Sequence, residues 1–336
     1  IVNNNLYLNQ ENEGLFHSIY KDRKKNLWLG SISEGALKMD FNTKPIQHFP
    51  LFNTSTGKQH NVTAICKAEN GELYLVINRF GVFRFDYPSG KIMNVTQNLN
   101  DLLNVKSILN PKNSNEIWIT KESINEIVIY NQNQNGNLDF KRKISLEKIS
   151  GTFDNTIINL FQDQFLNIWI GSNNGLYMLN NSGKLIQIAK DIPAANSIAE
   201  DNNHIIWAGT DKNGLFKLTP VTNNAGTPYK KEKIELKVKD LESLNIRSVM
   251  VDKKGNKYIG TVEGFIYIID NTGIQKEISG EYGITEEKIQ DFTEDKYGTI
   301  WMTTSKRILR YNPKTHTSIY FSNSDGLTHR NLYKGT

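Results

Sequence analysis

One aromatic position recurs along the whole chain, and it constrains the fold more than any other feature of the sequence. All five tryptophans lie in the middle of a short apolar run, and two tyrosines, in GELYLVI and NKYIGT, occupy the equivalent position. The seven aromatic residues are Trp28, Tyr74, Trp118, Trp169, Trp207, Tyr258 and Trp301. They follow one another at intervals of 38 to 51 residues, about 45 on average, which is the period typical of propeller blades.

Two turn signals flank this aromatic strand in most copies. An Asp precedes the aromatic by six residues in five copies: Asp22, Asp163, Asp201, Asp252 and Asp295. A Gly follows it by six or seven residues in five copies: Gly35, Gly81, Gly175, Gly214 and Gly264. An Asp carboxylate caps the N–H groups of a type I turn, and Gly accepts the positive φ of a tight hairpin. Each signal therefore indicates a turn between antiparallel strands, although copies two and three lack the Asp and copies three and seven lack the Gly.

Four short strands are predicted in every copy. An apolar segment such as TIINLFQD precedes the aromatic run, and a third strand such as GLYMLN and a more polar fourth such as KLIQIA follow it. We label these strands A to D in chain order and expect strand A to lie nearest a central channel. The pattern predicts an all-β fold, a seven-bladed β-propeller of four-stranded antiparallel blades.

The whole chain, residues 1–336, is predicted to form a single propeller, because a blade cannot bury both of its faces without neighbours. The blades are predicted at approximately 14–55, 58–100, 103–150, 155–192, 195–240, 244–280 and 284–323. Residues 131–151 and 219–240 are interpreted as polar surface excursions between strands C and D. Residues 324–336 resemble the start of an eighth repeat or a closing strand, so we interpret the chain as a fragment of a longer polypeptide.

The composition is that of a folded protein with a sizeable core. Hydrophobic residues make up 38% of the 336 residues, and no run approaches 18 apolar residues, so no membrane-spanning helix is predicted. The formal net charge of +5 is spread along the chain without a long single-sign block, which argues against nucleic-acid binding. The single cysteine, Cys66, lies in the apolar segment VTAICKA and is expected to be buried and inert.

No motif for catalysis or cofactor binding is recognisable. The six histidines are scattered without a His-x-x-x-His pair, and no Gly-x-Ser-x-Gly elbow, Walker loop or dinucleotide fingerprint occurs. The acidic turns at Asp201 and Asp211 lack the alternation of oxygen ligands that a calcium loop needs, so turn capping is the preferred interpretation. We therefore expect no catalytic residue, no metal and no cofactor.

Four copies carry a more specific signature: DRKKNLWLGS, DQFLNIWIGSNNGLYML, DNNHIIWAGTDKNGLFKL and DKYGTIWMTT. This sequence pattern resembles the two-component regulator propeller repeat, and the resemblance is weaker in copies two, three and six. The resemblance implies the periplasmic sensor region of a Bacteroidetes hybrid two-component system, with histidine kinase and response-regulator portions elsewhere in the polypeptide. It also implies a second propeller, a membrane-proximal β-sandwich, pairing of two protomers and a response to oligosaccharides.

Ligand contacts are expected where the copies depart from the repeat. The recurring aromatics are interpreted as packing residues between blades, with a sugar-binding platform as the alternative. In a propeller the B–C and D–A loops share the face around the channel mouth. Candidate ligand-binding residues on that face are Asn78, Arg79, Phe80, Lys121, Glu122, Lys306 and Arg307, together with His60 and Arg247 near the starts of A strands. An Arg beside an aromatic suits an anionic or stacked sugar ring, and ordinary solvated loop charges are the alternative.

The leading functional hypothesis is a non-catalytic, ligand-sensing propeller that regulates a downstream histidine kinase. Glycan binding would bias the arrangement of two protomers, in concert with the second propeller and the sandwich, and so change the kinase state. Two alternatives remain open. One is a propeller polysaccharide lyase or glycosidase, which needs paired acidic groups or His and Tyr groups at the channel mouth. The other is a protein-binding scaffold.

Overall fold

The structure, a computed structural model, describes residues 16–21, 27–31, 35–39, 62–68, 71–77, 80–86, 89, 91–95, 105–121, 125–147, 156–192, 194–221, 228–236, 244–273, 275–284 and 287–321. Within 16–39 it describes the strands but not their side chains. The candidate residues His60, Asn78, Arg79 and Glu122 lie outside the described residues, as does the segment 324–336.

The described strands form seven antiparallel sheets, which follow the seven copies of the repeat in chain order. The first sheet contains β1 (Phe16–Lys21), β2 (Leu27–Ser31) and β3 (Gly35–Met39). We number the other six sheets blades 2 to 7 after their copies. Their strands are β4 (Val62–Lys67), β5 (Leu73–Ile77), β6 (Gly81–Asp86) and β7 (Lys91–Asn94); β8 (Val105–Leu109), β9 (Glu116–Lys121), β10 (Glu126–Gln132) and β11 (Leu138–Ser145); β12 (Ile157–Gln162), β13 (Ile168–Ser172), β14 (Gly175–Leu179) and β15 (Leu185–Ala189); β16 (Ala195–Glu200), β17 (Ile206–Thr210), β18 (Gly214–Pro220) and β19 (Tyr229–Ile234); β20 (Ile246–Val251), β21 (Lys257–Thr261), β22 (Ile266–Ile269) and β23 (Gln275–Glu277); β24 (Ile289–Glu294), β25 (Ile300–Thr304), β26 (Ile308–Asn312) and β27 (Thr317–Phe321).

The prediction of seven four-stranded blades is wrong. The described residues form an all-β propeller with six four-stranded antiparallel blades, and the sheet of copy one has three strands. The aromatic period counts copies of the A–B–C unit, which copy one does form, but it does not report whether a fourth strand pairs with that unit. Strand D is polar and lacks the aromatic signature, so its pairing cannot be read from the period.

Each pair of neighbouring blades from 2 to 7 encloses a hydrophobic cluster. Between blades 4 and 5, for example, Trp169 and Leu176 pack with Ile198 and Phe216. The first strands of these blades contact one another in succession, from β4 through β8, β12, β16 and β20 to β24. Strand A is therefore the innermost strand of each of these blades, and the core lies between the blades rather than within any one of them.

Every first strand carries a β-bulge at its second residue. In blade 6, Ile246 pairs with Thr261 and Ser248 pairs with Gly260, so Arg247 is the extra residue. The same shift occurs in β1, β4, β8, β12, β16 and β24. A bulge lifts one residue out of the ladder and re-aims its side chain, so each blade presents one such residue at the same end of its inner strand.

Each predicted surface excursion contains a complete strand D and the end of the strand C before it. The first, within 131–151, contains the end of β10 and all of β11, joined by a short turn. The second, within 219–240, contains the end of β18 and all of β19. Their polar sequences form outermost strands because such a strand has one face and one edge in water.

Helix plays little part in the described portion of the chain. A single 3-10 turn, Gly280–Tyr282, precedes β24. Among the described residues, no helix has the length and apolar character needed to cross a membrane.

Candidate functional site

The turn aspartate and the repeat aromatic of a blade are hydrogen-bonded to each other. Oδ1 of Asp163 accepts bonds from the backbone N–H groups of Phe165 and Asn167, at 2.9 and 2.8 Å. Its Oδ2 accepts from Nδ2 of Asn167 at 2.8 Å and from Nε1 of Trp169 at 2.9 Å. Both Asp163 and Trp169 are buried. The carboxylate therefore caps the turn and also fixes the indole.

The same bond recurs in the other blades. Equivalent bonds join Trp207 to Asp201 at 2.9 Å, Trp301 to Asp295 at 3.0 Å and Tyr258 to Asp252 at 3.3 Å. Copies two and three, which lack the Asp, use a Glu two residues before the aromatic. Tyr74 donates to Glu72 at 3.1 Å, and Trp118 donates to Glu116 at 2.7 Å. These two copies keep the contact with a different residue type and spacing.

Five of the six repeat aromatics whose side chains are described lie between blades, and the sixth, Trp301, stacks on Phe321 of its own blade. Trp169 of blade 4 packs edge-on against Tyr229 of blade 5, with ring centroids 4.9 Å apart. Tyr258 of blade 6 approaches Phe292 of blade 7, with ring centroids 6.2 Å apart. Burial raises the pKa of Tyr258, and the nearby charge of Asp252 raises it further. Such groups hold blades together and offer little accessible surface to a ligand.

The described candidates of copies two and three have different environments. Phe80 lies in the turn between β5 and β6 and is 47% exposed. Lys121 is the last residue of β9 and is buried, so it lies in a strand and not in a loop. Exposure leaves Phe80 accessible to a ligand, whereas Lys121 is enclosed by the protein.

The candidates of copy seven also differ from each other. Lys306 is exposed in the turn between β25 and β26. Arg307 is partly buried; it forms an ion pair with Glu287, which is 1% exposed, and its guanidinium lies 5.1 Å from the ring centroid of Tyr320. Glu287 also accepts a bond from Oγ1 of Thr304 at 2.6 Å. Arg307 therefore neutralises a buried carboxylate, which gives it a structural role whether or not a ligand also contacts it.

Arg247 lies at the channel end of blade 6, on the bulge of β20, and is half-buried. Burial lowers the pKa of its guanidinium, while the charges of Asp291 and Asp211 oppose that effect. Asp291 belongs to the inner strand of blade 7 and accepts a bond from Oγ of Ser248 at 2.8 Å. Asp211 begins the B–C loop of blade 5, where its N–H donates to the carbonyl of Ala194 at 3.1 Å. Three blades therefore place charged groups around one point of the mouth.

Several buried oxygens on this face accept no hydrogen bond within the described part of the chain. They are Oδ1 of Asp211, Oδ1 of Asn245, Oε2 of Glu263 and Oε1 of Gln290. Gln290 occupies the bulge of β24 and is only 8% exposed. Sequence reasoning selected Arg247 near these oxygens but none of the four residues as a ligand contact. For Gln290 the missed signal is its position directly after the first apolar residue of strand A, where the residue type differs from copy to copy.

The two histidines whose side chains are described lie at the end of their blades that faces away from the channel mouth, whereas His17 occupies the bulge of β1. His204 belongs to the A–B turn of blade 5, where its Nδ1 is 2.9 Å from Glu200, and His316 belongs to the C–D turn of blade 7, where its Nδ1 is 3.0 Å from the hydroxyl of Tyr311. Neither reaches the B–C and D–A loops, which lie at the other ends of the strands. Among the residues that the structure describes, no group of three or more His, Cys, Asp or Glu side chains is arranged to hold a metal ion.

The fold and this mouth define the class of protein as a β-propeller with a polar, partly buried channel end. No protein-family model matches the chain, and no curated protein matches it. Solved structures of β-propellers do match this chain. The extracellular domain of BT4673 from B. thetaiotaomicron, described as a one-component system, is 18% identical with a TM-score of 0.59, and the match covers 98% of this chain and 49% of that one.

Propellers with other activities are similar to the same degree. Virginiamycin B lyase from Staphylococcus aureus is 14% identical with a TM-score of 0.59, and the match covers 81% of this chain and 86% of the lyase. A protein described as a gluconolactonase is 11% identical with a TM-score of 0.52, with 76% of this chain and 91% of that chain covered. At these identities the likeness shows the fold alone, so the function must be argued from the site.

Proposed function

We propose that this chain is a non-catalytic, ligand-sensing propeller from the extracytoplasmic part of a two-component signalling protein, and that it responds to oligosaccharides. The observation that carries the proposal is the similarity to two extracellular domains from B. thetaiotaomicron: that of BT4673, over 98% of this chain, and that of BT3049, described as a hybrid two-component system, over 95% of this chain at 17% identity and a TM-score of 0.50. The repeat sequence DQFLNIWIGSNNGLYML supports the same class of sensor protein. Because the match covers 49% of the BT4673 chain, we propose a second propeller and a membrane-proximal sandwich as partners in the same polypeptide.

The proposed mechanism is a population shift. A ligand at the channel mouth would contact several blades at once, because the inner strands of neighbouring blades begin there, each with its bulge residue. Differential binding to two arrangements of paired protomers would then change the state of a histidine kinase. In this proposal the chain lies in the periplasm and the signal crosses the membrane through the remainder of the polypeptide.

A lyase is the second candidate, because the match with virginiamycin B lyase covers 86% of that enzyme. A variant of that lyase with one histidine replaced by alanine is described as catalytically inactive. In the present chain the two histidines whose side chains are described, His204 and His316, lie at the other end of their blades from the channel mouth and are hydrogen-bonded to neighbouring side chains. His17, however, occupies the bulge of β1, so the turnover measurement described next decides between the two functions.

Binding and turnover can be measured in one experiment. The 336-residue chain is titrated calorimetrically with a panel of oligosaccharides, and each mixture is then analysed chromatographically for cleavage. We expect one glycan class to bind and remain intact. A glycan that binds and is cleaved would replace sensing with the enzyme hypothesis, whereas retention of a partner protein with no glycan bound would favour a scaffold.

A further inference from the structure

The bulge residues of the inner strands occupy the same structural position in every copy of the repeat, but their residue type differs from copy to copy. They are His17, Thr63, Lys106, Ile158, Asn196, Arg247 and Gln290. The residue before each bulge is apolar in every described blade, as Ile246 and Ile289 are. A repeat protein can place ligand-binding side chains at such a position, because a change of side chain there leaves the blade intact.

In blades 5 to 7 these residues join a network that links neighbouring blades. Nδ2 of Asn196 donates to the carbonyl of Ile246 at 3.2 Å. Arg247 interacts electrostatically with Asp211 of blade 5 and Asp291 of blade 7. Arg247 therefore has a carboxylate from each neighbouring blade in its surroundings.

The network leaves acceptors without donors. Oδ1 of Asp211 and Oε1 of Gln290 are buried and accept no hydrogen bond among the described residues. Gln290 is 8% exposed, so this oxygen has lost most of its access to bulk water. A buried acceptor without a donor costs about 1 to 3 kcal/mol, so a ligand that supplies N–H or O–H groups here recovers free energy on binding.

We propose that the channel mouth at blades 5 to 7 binds a ligand that carries a protonated amine beside hydroxyl groups, such as an amino sugar. Asp211 accepts a charge-assisted bond from the ammonium, and Gln290 accepts a bond from a hydroxyl. An anionic group is disfavoured beside Arg247, because Asp211 and Asp291 repel it and already compensate the charge of Arg247. This inference rests on the proposed sensing function and specifies its ligand class.

Three sugars that share the gluco-configured pyranose ring and differ in charge test the proposal. The 336-residue chain is titrated calorimetrically with glucosamine, N-acetylglucosamine and glucuronate. We expect glucosamine to bind about tenfold more tightly than the neutral sugar, and glucuronate to bind most weakly. Equal affinities for all three, the tightest binding for glucuronate, or no binding of glucosamine would overturn the proposal.

Two variants locate the binding. Asp211→Asn keeps the shape of the side chain and removes its charge, so it should weaken glucosamine binding about tenfold and leave N-acetylglucosamine binding nearly unchanged. Gln290→Met should weaken binding of both sugars, because each uses the hydroxyl contact. The matched control is Asp270→Asn in the C–D turn of blade 6, at the opposite end of the strands, which should change neither affinity. Melting temperatures equal to that of the parent chain show that each variant is folded, and unchanged glucosamine affinity in a folded Asp211→Asn variant would contradict the proposal.

The outcomes separate this inference from the function on which it rests. If a neutral or anionic oligosaccharide binds intact while glucosamine does not, the amine proposal fails and the sensing function stands. If glucosamine binds as expected but the bound sugar is chemically converted, the sensing function fails and the ligand class stands. If no carbohydrate binds, both fail.

Discussion

Nε1 of Trp169 lies 2.9 Å from Oδ2 of Asp163, and both residues are buried. The carboxylate accepts four hydrogen bonds in all, from the turn backbone, from Asn167 and from the indole. It therefore couples the A–B turn to the inter-blade core, and removing it should cost more than removing the indole bond alone. We expect Asp163→Ala to lower the free energy of unfolding by about 3 kcal/mol or more, because several buried donors lose their acceptor.

The indole bond can be measured separately from indole packing. Trp169→Phe keeps an aromatic ring and removes the N–H donor, so we expect a loss of about 1 to 3 kcal/mol, against about 3 to 5 kcal/mol for Trp169→Ala. Urea unfolding of both single variants and of the Asp163→Ala/Trp169→Phe pair gives the coupling energy. Strict additivity of the two changes would show that the bond contributes nothing.

In blade 3, Glu116 should have the structural role that the turn aspartate has in other blades. It accepts from Nε1 of Trp118 at 2.7 Å and pairs with Lys141 at 2.6 Å. Burial by itself would raise the pKa of Glu116, but the bonds from Lys141 and Trp118 lower it below its ordinary value. Glu116→Ala should destabilise the chain by about 1 to 2 kcal/mol in urea unfolding, whereas Lys143→Ala, which removes an exposed pair with Glu126, should change it by less than about 0.5 kcal/mol. An equal effect of the two changes would contradict the assignment.

The glycine two residues after the repeat aromatic allows close contact with the next blade. A Cβ on Gly171 would lie 2.3 Å from the carbonyl oxygen of Ala195, and one on Gly209 would lie 2.3 Å from Cγ2 of Ile246. Gly171→Ala should cost about 1 to 3 kcal/mol in thermal or urea unfolding, because the obstructing atom is backbone. The matched control is Gly280→Ala, where an added Cβ meets nothing within 4 Å. Equal free energies of unfolding for the two variants would contradict this close contact between neighbouring blades.

Asp295 should contribute an acid-dependent part of the stability. Burial by itself would raise its pKa, but bonds from Nε1 of Trp301 and the N–H groups of Thr299 and Tyr297 lower it below the ordinary value of 3.8. A carboxyl whose pKa is lower in the folded state stabilises the fold above the unfolded pKa, and this stability is lost as the pH falls through the folded pKa. The stability difference between the parent chain and Asp295→Asn should therefore be largest near neutral pH and shrink below about pH 4. Urea unfolding from pH 7 to pH 3 measures it, and a difference independent of pH would contradict the assignment.

Arg307 should behave as a structural residue in unfolding experiments. Its removal leaves Glu287, which is 1% exposed, without its cation. We expect Arg307→Met to cost about 2 kcal/mol, less than the loss for a fully buried pair because a third of the Arg307 side chain is exposed. Lys306→Met, an exposed neighbour, should change stability by less than about 0.5 kcal/mol. Recovery of stability in the Glu287→Gln/Arg307→Met double variant would support the pairing, and its absence would contradict it.

Much of the fold could be predicted from local patterns. The alternation of apolar runs and turn residues predicts antiparallel strands, and the aromatic period predicts blades, because each blade repeats the same local sequence. The count of four-stranded blades was wrong for copy one, since the pairing of a polar fourth strand leaves no periodic signal. The Glu72 and Glu116 contacts were missed because the same bond is made there from a different position in the sequence.

The candidate site was predictable only in outline. Arg247 was selected near the start of an A strand, but its interaction with Asp211 and Asp291 joins residues of three blades that are far apart in the chain. Lys121 and Arg307 were selected as loop charges, whereas one is a buried strand residue and the other neutralises a buried carboxylate.

The sequence by itself determined the repeating unit: its strands, its capped turns and the aromatic that each blade buries. These features depend on neighbours within about 20 residues, so composition and spacing suffice to define them. Only the tertiary structure decided which side chains meet at the channel. Packing the blades around one axis brings the bulged residues Asn196, Arg247 and Gln290 to one mouth, and burial there leaves acceptors such as Oε1 of Gln290 without a donor.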